Sequence, residues 1–169
     1  MEAVTLDAAM KFPTRSKMFD AYLADVEALL AGNKFEAAQN LALALPHIAV
    51  ALTDDQLQSS CQAFRTWCIT WVREMTEELA QEWCSLAADC GADLSQGVPF
   101  AALQSLRLRR RMRDPRSPAS VAIAGPDADQ QVVASRCQAL LRAARSWYAT
   151  EGRHSGMVEK NLARLGVLR

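Results

Sequence analysis

A chain of 169 residues, half of them apolar, suits one ordinary domain with a sizeable core; no run reaches the roughly 18 to 20 uninterrupted apolar residues of a bilayer span. The first 15 residues lack the basic-then-apolar pattern of a secretory signal, so the expected location is cytoplasmic, with no membrane association. Net charge is zero, yet residues 1–96 carry 14 acidic and 6 basic side chains (net −8), and residues 97–169 carry 5 acidic and 13 basic ones (net +8). The chain is therefore a charge dipole whose basic half faces either its own acidic half or a partner.

Residues 1–15 show no sustained period and include Pro13, which reads as a mobile N-terminal arm, with residues 16–169 forming a single helical domain. Phe19, Tyr22, Leu23, Val26, Leu29 and Leu30 share one helical face, with Ser16 as N-cap and Gly32 as the stop. Asn33 with Glu36 has capping-box spacing, and Phe35, Ala38, Leu41, Ala42 and Leu45 continue as a second helix, giving a tight hairpin. Pro46 removes a backbone donor and clashes with the preceding turn, so a bend or an end is expected there.

Thr53 with Gln56 has the form of a capping box at the head of the longest pattern in the chain. Leu57, Cys61, Phe64, Cys68, Trp71, Val72, Met75, Leu79, Trp83, Leu86 and Cys90 recur by threes and fours without Gly or Pro, which marks a packing surface for the rest of the chain. One straight helix over residues 54–90 would be roughly 55 Å long, against a diameter of about 40 Å for a compact domain of this size. Either the helix breaks over residues 73–76, with Thr76 as the new N-cap, or it projects and pairs with a second copy of the chain; the break is the preferred reading.

After Gly91 and a turn at residues 95–97, Pro99 suits the first position of a helix whose apolar face, Phe100, Leu103 and Leu106, then fails where arginines begin. Pro115, Pro118, Gly125 and Pro126 make residues 114–126 an exposed Pro-rich loop. Asp127 and Gln130 open a helix of about six turns bearing Val133, Cys137, Leu140, Leu141, Ala144, Trp147 and Tyr148, with Arg136, Arg142 and Arg145 on its polar side. Ser155 caps a last helix that buries Val158, Leu162 and Leu165 and stops at Gly166. The expected fold is all-α, a bundle-like array of six to seven helices with no sheet.

The sharpest chemical feature is Arg107, Arg109, Arg110, Arg111, Arg113 and Arg116, six arginines in ten residues. Guanidinium groups pair bidentately with carboxylates and phosphates, so the cluster suits an acidic protein or a nucleic acid as partner, or the chain's own acidic half. Trp67, on the flank of the long stripe, is placed to cap a groove or a dimer seam, while Trp71 on the stripe reads as core. Five cysteines, an odd number with no CxxC pair, argue against a disulfide framework and predict free thiols.

Cys61, Cys68, Cys84, Cys90, His47 and His154 are not spaced as paired zinc ligands, so no metal or other cofactor is expected. Cys84 points off the stripe, to solvent or beneath another helix. His47, on an apolar segment, reads as hydrogen-bonded within the fold, and neither it nor His154 has the partners of a nucleophilic site. These features point to a non-enzymatic helical interaction module, an adaptor or regulator binding a protein partner or a second copy of itself. The alternative is a nucleic-acid-binding accessory protein using the arginine cluster.

Overall fold

The computed structural model describes residues 13–89 and 128–167. Six α-helices appear there in order, α1 Pro13–Ala31, α2 Phe35–Thr53, α3 Cys61–Trp71, α4 Glu77–Asp89, α5 Ala128–Thr150 and α6 Gly156–Val167, with a 3₁₀ turn at Gly152–His154 before the last. The protein is an all-α helical array, with no strand among the described residues. Of the arm expected at residues 1–15, residues 13–15 belong to α1 and the rest lies outside the described residues, as do the helix starting at Pro99, the Pro-rich loop at 114–126 and the Asp127 cap.

The centre of the array is α2, which packs against every one of the other five α-helices. Twelve of its 19 residues are buried, including the unbroken run 42–49. A helix that is apolar all round must be enclosed, because no orientation leaves a polar face for water. Its length and composition would also suffice to cross a bilayer, but here its apolar surface is spent on other helices. The described part of the long stripe, residues 57–89, is thus one wall of the core and not its axis, which corrects the expectation drawn from it. That stripe stood out through its spacing, whereas α2 has apolar residues on every side and so little periodicity to notice.

The ends of these helices follow local chemistry. Pro13 is the first residue of α1, where its missing N–H costs nothing, so the helix starts three residues before Ser16. At the other end Lys34 N donates to Leu29 O and Asn33 N to Leu30 O, the paired bonds of a Schellman motif, with Asn33 at φ 57°. Asn33 therefore closes α1 and does not open α2, whose N-cap position is Lys34 without a side-chain bond. The left-handed residue is Asn33 and not Gly32, a conformation that asparagine tolerates better than most side chains.

α2 continues across Pro46 to Thr53 and does not end there. The ring deprives the Ala42 carbonyl of its usual donor, a loss accepted where the flanking residues 42–49 are all buried by neighbouring helices. Thr53 does not cap a new helix; its hydroxyl donates back to Val50 O, and residues 54–60 form a connection instead. The cap of α3 is Ser60, whose hydroxyl oxygen accepts from Ala63 N at 3.1 Å.

The expected break over 73–76 is present. α3 ends at Trp71, Glu74 takes φ 57°, and Thr76 Oγ1 accepts from Leu79 N at 3.2 Å to start α4. The break resets the helical phase. α4 buries Ala80, Trp83, Cys84 and Ala87, a face displaced from the Leu79, Trp83, Leu86 series of one continuous helix, so Cys84 lies inside.

In the C-terminal part, α5 buries Cys137, Leu140, Leu141, Ala144 and Trp147 as its spacing predicts. Ser155 caps α6 through Val158 N, and Val158 and Leu162 are buried; the helix runs through Gly166 to Val167 rather than stopping there. Gly152 is needed at the corner. A Cβ there would lie 2.9 Å from Tyr148 Cδ2 and 3.1 Å from the Trp147 ring.

Candidate functional site

Among the described residues, a dense set of polar contacts surrounds the connection between α2 and α3. One Asp54 carboxylate oxygen accepts from both Gln56 N and Gln58 N at 3.0 Å, while the Asp54 carbonyl accepts from Leu57 N at 3.1 Å. This Asx-type turn holds Leu57 at φ 56°, a backbone region costly for leucine, with its side chain 5% exposed. Burying that side chain offsets the backbone cost.

From the opposite side, α6 reaches across. Asn161, fully buried, donates its amide group to Leu52 O at 2.8 Å and Asp54 O at 2.9 Å, satisfying carbonyls at the end of α2. Arg164 donates to Asp55 O and to Asn161 Oδ1, and Lys160 Nζ stands 3.7 Å from Asp55 Oδ1. Beneath them His47 Nδ1 and Ser59 Oγ are 2.6 Å apart, and the imidazole lies against Phe64 with ring centroids 4.7 Å apart. His47 is hydrogen-bonded within the fold, as its apolar surroundings in the sequence suggest.

A hydroxyl beside an imidazole is the beginning of a nucleophile and base. Here His47 is fully buried and Ser59 is 8% exposed, so a substrate has no approach to either. The cluster ties α2, α3 and α6 together, and its chemistry is spent on that.

The second concentration of reactive groups lies between α3 and α4. Cys61 and Cys84 form a disulfide, with Cα atoms 6.1 Å apart, which corrects the expectation of free thiols. The α3–α4 turn folds the chain back and makes neighbours of cysteines 23 positions apart, a juxtaposition no local spacing encodes. Cys68 and Cys137 are free and buried. Burial pushes the Cys68 thiol up to about 12, and that of Cys137 to about 11 against the opposing pull of Arg136 and a backbone hydrogen bond, so both are inert at neutral pH.

No protein-family model, curated protein or solved structure matches this chain.

The six arginines of the expected binding cluster, Arg107, Arg109, Arg110, Arg111, Arg113 and Arg116, lie outside the described residues, as does Cys90. Trp67 is within them and is 6% exposed, so it packs inside the array rather than lying open over a groove. Its indole N–H has no hydrogen-bond partner among the described residues. Trp71, the last residue of α3, is half-buried and packs against the core beside buried Val72. His154 is exposed in the 3₁₀ turn.

The arginines of α5 divide by role. Arg136 donates to Gln39 Oε1 at 2.7 Å and lies over the Trp83 ring at 5.9 Å, joining α5 to α2 and α4. Arg145 pairs with Glu27 of α1, and Arg142 is exposed. The Arg145–Glu27 and Lys160–Asp55 pairs each join the basic half of the chain to the acidic half.

Sequence reasoning missed Asn161, Ser59 and the Cys61–Cys84 pair. Asn161 did leave a signal, since it lies three residues after Val158 and beside Leu162, a polar interruption in the apolar face of α6. Such a residue inside a core is expected to satisfy main-chain groups of another element.

Proposed function

We propose that this protein is a non-enzymatic helical interaction module, a cytoplasmic adaptor or regulator that binds an acidic protein surface through Arg107, Arg109, Arg110, Arg111, Arg113 and Arg116. The observation that carries this reading is how the basic half of the chain distributes its charge. Arg136, Arg145, Lys160 and Arg164 are engaged with α1, α2, α4 and the α2–α3 connection, where they serve the fold. The six clustered arginines fall in sequence between α4 and α5, and their density far exceeds what internal pairing of that kind uses. The buried imidazole and thiols also favour a scaffold, since each is engaged in or enclosed by the core.

The test is capture of binding proteins on the full chain beside a variant with all six arginines changed to glutamine, with mass measured in parallel by light scattering. Partners or self-association present for the parent chain and lost in the variant support the reading. Identical captures from both chains, or a strictly monomeric parent that retains nothing specific, end it.

A second reading, a nucleic-acid accessory protein, is favoured by one observation: every basic residue in the cluster is arginine, the side chain matched to phosphate oxygens. Binding to a generic duplex or single strand should then weaken linearly in log salt, with a slope approaching about −5 if all six contact phosphates. Absence of binding at low salt rules that reading out.

A further inference from the structure

The α3–α4 hairpin is closed at both ends, by the turn at residues 72–76 and by the Cys61–Cys84 bridge. We propose that this bridge is a reversible thiol–disulfide latch, opened and closed by small thiols, that sets how firmly α4 is held against α3.

The two cysteines are placed for different parts of such an exchange. Cys61 is the first residue of α3, directly after the Ser60 cap, and is partly exposed. A helix N-terminus stabilises a thiolate, and an exposed sulfur can be reached by a small reactant. Cys84 is 5% exposed, shielded from outside reagents but within reach of Cys61. Cys68 and Cys137 are fully buried, so neither competes for the same reagent.

The hold on α4 makes the bridge consequential. Besides Cys84, its buried residues are Ala80, Ala87 and the single large side chain Trp83. Across to α3, Arg65 adds one exposed hydrogen bond to Gln81 at 2.9 Å. Leu79 and Leu86 pack against the core only in part and Arg136 lies over Trp83, so the covalent link adds to a hold that rests on one large buried side chain. In sequence, α4 leads towards the arginine-rich segment, which makes it a useful element to control.

The exchange balances with a low-molecular-weight disulfide, RSSR, as oxidant. The Cys61 thiolate attacks one sulfur of RSSR; the S–S bond breaks, RS⁻ leaves and a mixed disulfide forms. Cys84 gives its proton to the departing thiolate and attacks the Cys61 sulfur, expelling the second RS⁻, which takes up the proton lost by Cys61. Two protein thiols are thereby oxidised and RSSR is reduced to two RSH, with the reverse reaction opening the latch.

The test uses the folded full chain in buffers of reduced and oxidised glutathione, without denaturant. Samples are acid-quenched, alkylated after unfolding and digested, and the Cys61–Cys84 peptide is quantified by mass spectrometry. The linked peptide should rise and fall reversibly with the glutathione ratio, and opening should speed amide exchange in Glu77–Asp89 at least tenfold while that of α2 is unchanged. Cys61→Ser should give the open pattern at every ratio. A bond that resists native reduction, a different pairing, or equal exchange in both redox forms overturns the proposal. Should Cys61→Ser fail to fold, the oxidised and reduced forms of the parent chain still decide.

Discussion

Asn161 supplies both donors of its amide to main-chain oxygens at the end of α2, and no water can replace it in a fully buried position. Asn161→Ala removes the donor to Leu52 O and leaves Asp54 O with Leu57 N alone, which should cost about 1 to 3 kcal/mol, read as a lower urea midpoint with unchanged slope. Cys68 and Cys137 set a pH dependence whose sign follows from their thiols. Below the ordinary thiol value of 9.0 both folded and unfolded chains keep the proton, and burial carries no penalty. As pH rises past it the unfolded chain releases protons and the folded chain does not. Stability should therefore fall from about pH 9, levelling off past about 11 for Cys137 and about 12 for Cys68. Urea midpoints between pH 8 and 10.5 measure the decline, and Cys68→Ala should make it shallower.

Among the elements, the α3–α4 turn is held by two residues acting in different ways. Thr76 accepts the Leu79 N–H, so Thr76→Ala should destabilise by about 1 kcal/mol, whereas Thr76→Gly should cost only a few tenths. Glu74 sits at φ 57° with an exposed side chain, where glycine meets no steric penalty. Glu74→Gly should stabilise by roughly 0.5 to 1 kcal/mol, and a loss of that size in thermal or urea unfolding would contradict the turn geometry. Helix starts and stops of this kind are written in short-range chemistry, which is why Thr76 and Ser155 were readable as caps. Where two short-range signals overlap, as at Asn33, spacing alone is ambiguous. The same asparagine suits a helix start or a left-handed helix end, and the length of the connection decides between them.

For the whole molecule, the position of α2 predicts a single cooperative unfolding event. Every other helix buries part of its apolar face on α2, so none can leave without exposing it. Far-UV circular dichroism and tryptophan fluorescence should give coincident transitions under oxidising conditions, and separated midpoints would mean that some helix is held independently. The cross-half ion pairs add little to this. Both partners in Arg145–Glu27 and in Lys160–Asp55 are about half exposed or more, so their contribution is under about 1 kcal/mol and screened by salt. The charge asymmetry of the chain therefore contributes little to the stability of the described helices.

Helix period, the caps at Thr76 and Ser155 and the break before Thr76 were legible in the chain because each depends on residues within about four positions of one another. That range set the all-α class, the burial of Phe64, Leu140 and Trp147, and the structural role of His47. The identity of the central helix, the burial of Trp67, the pairing of Cys61 with Cys84 and the reach of Asn161 to Leu52 and Asp54 were decided only in three dimensions. Each joins residues brought together by the relative placement of helices, and that placement follows from how all the apolar faces are buried at once.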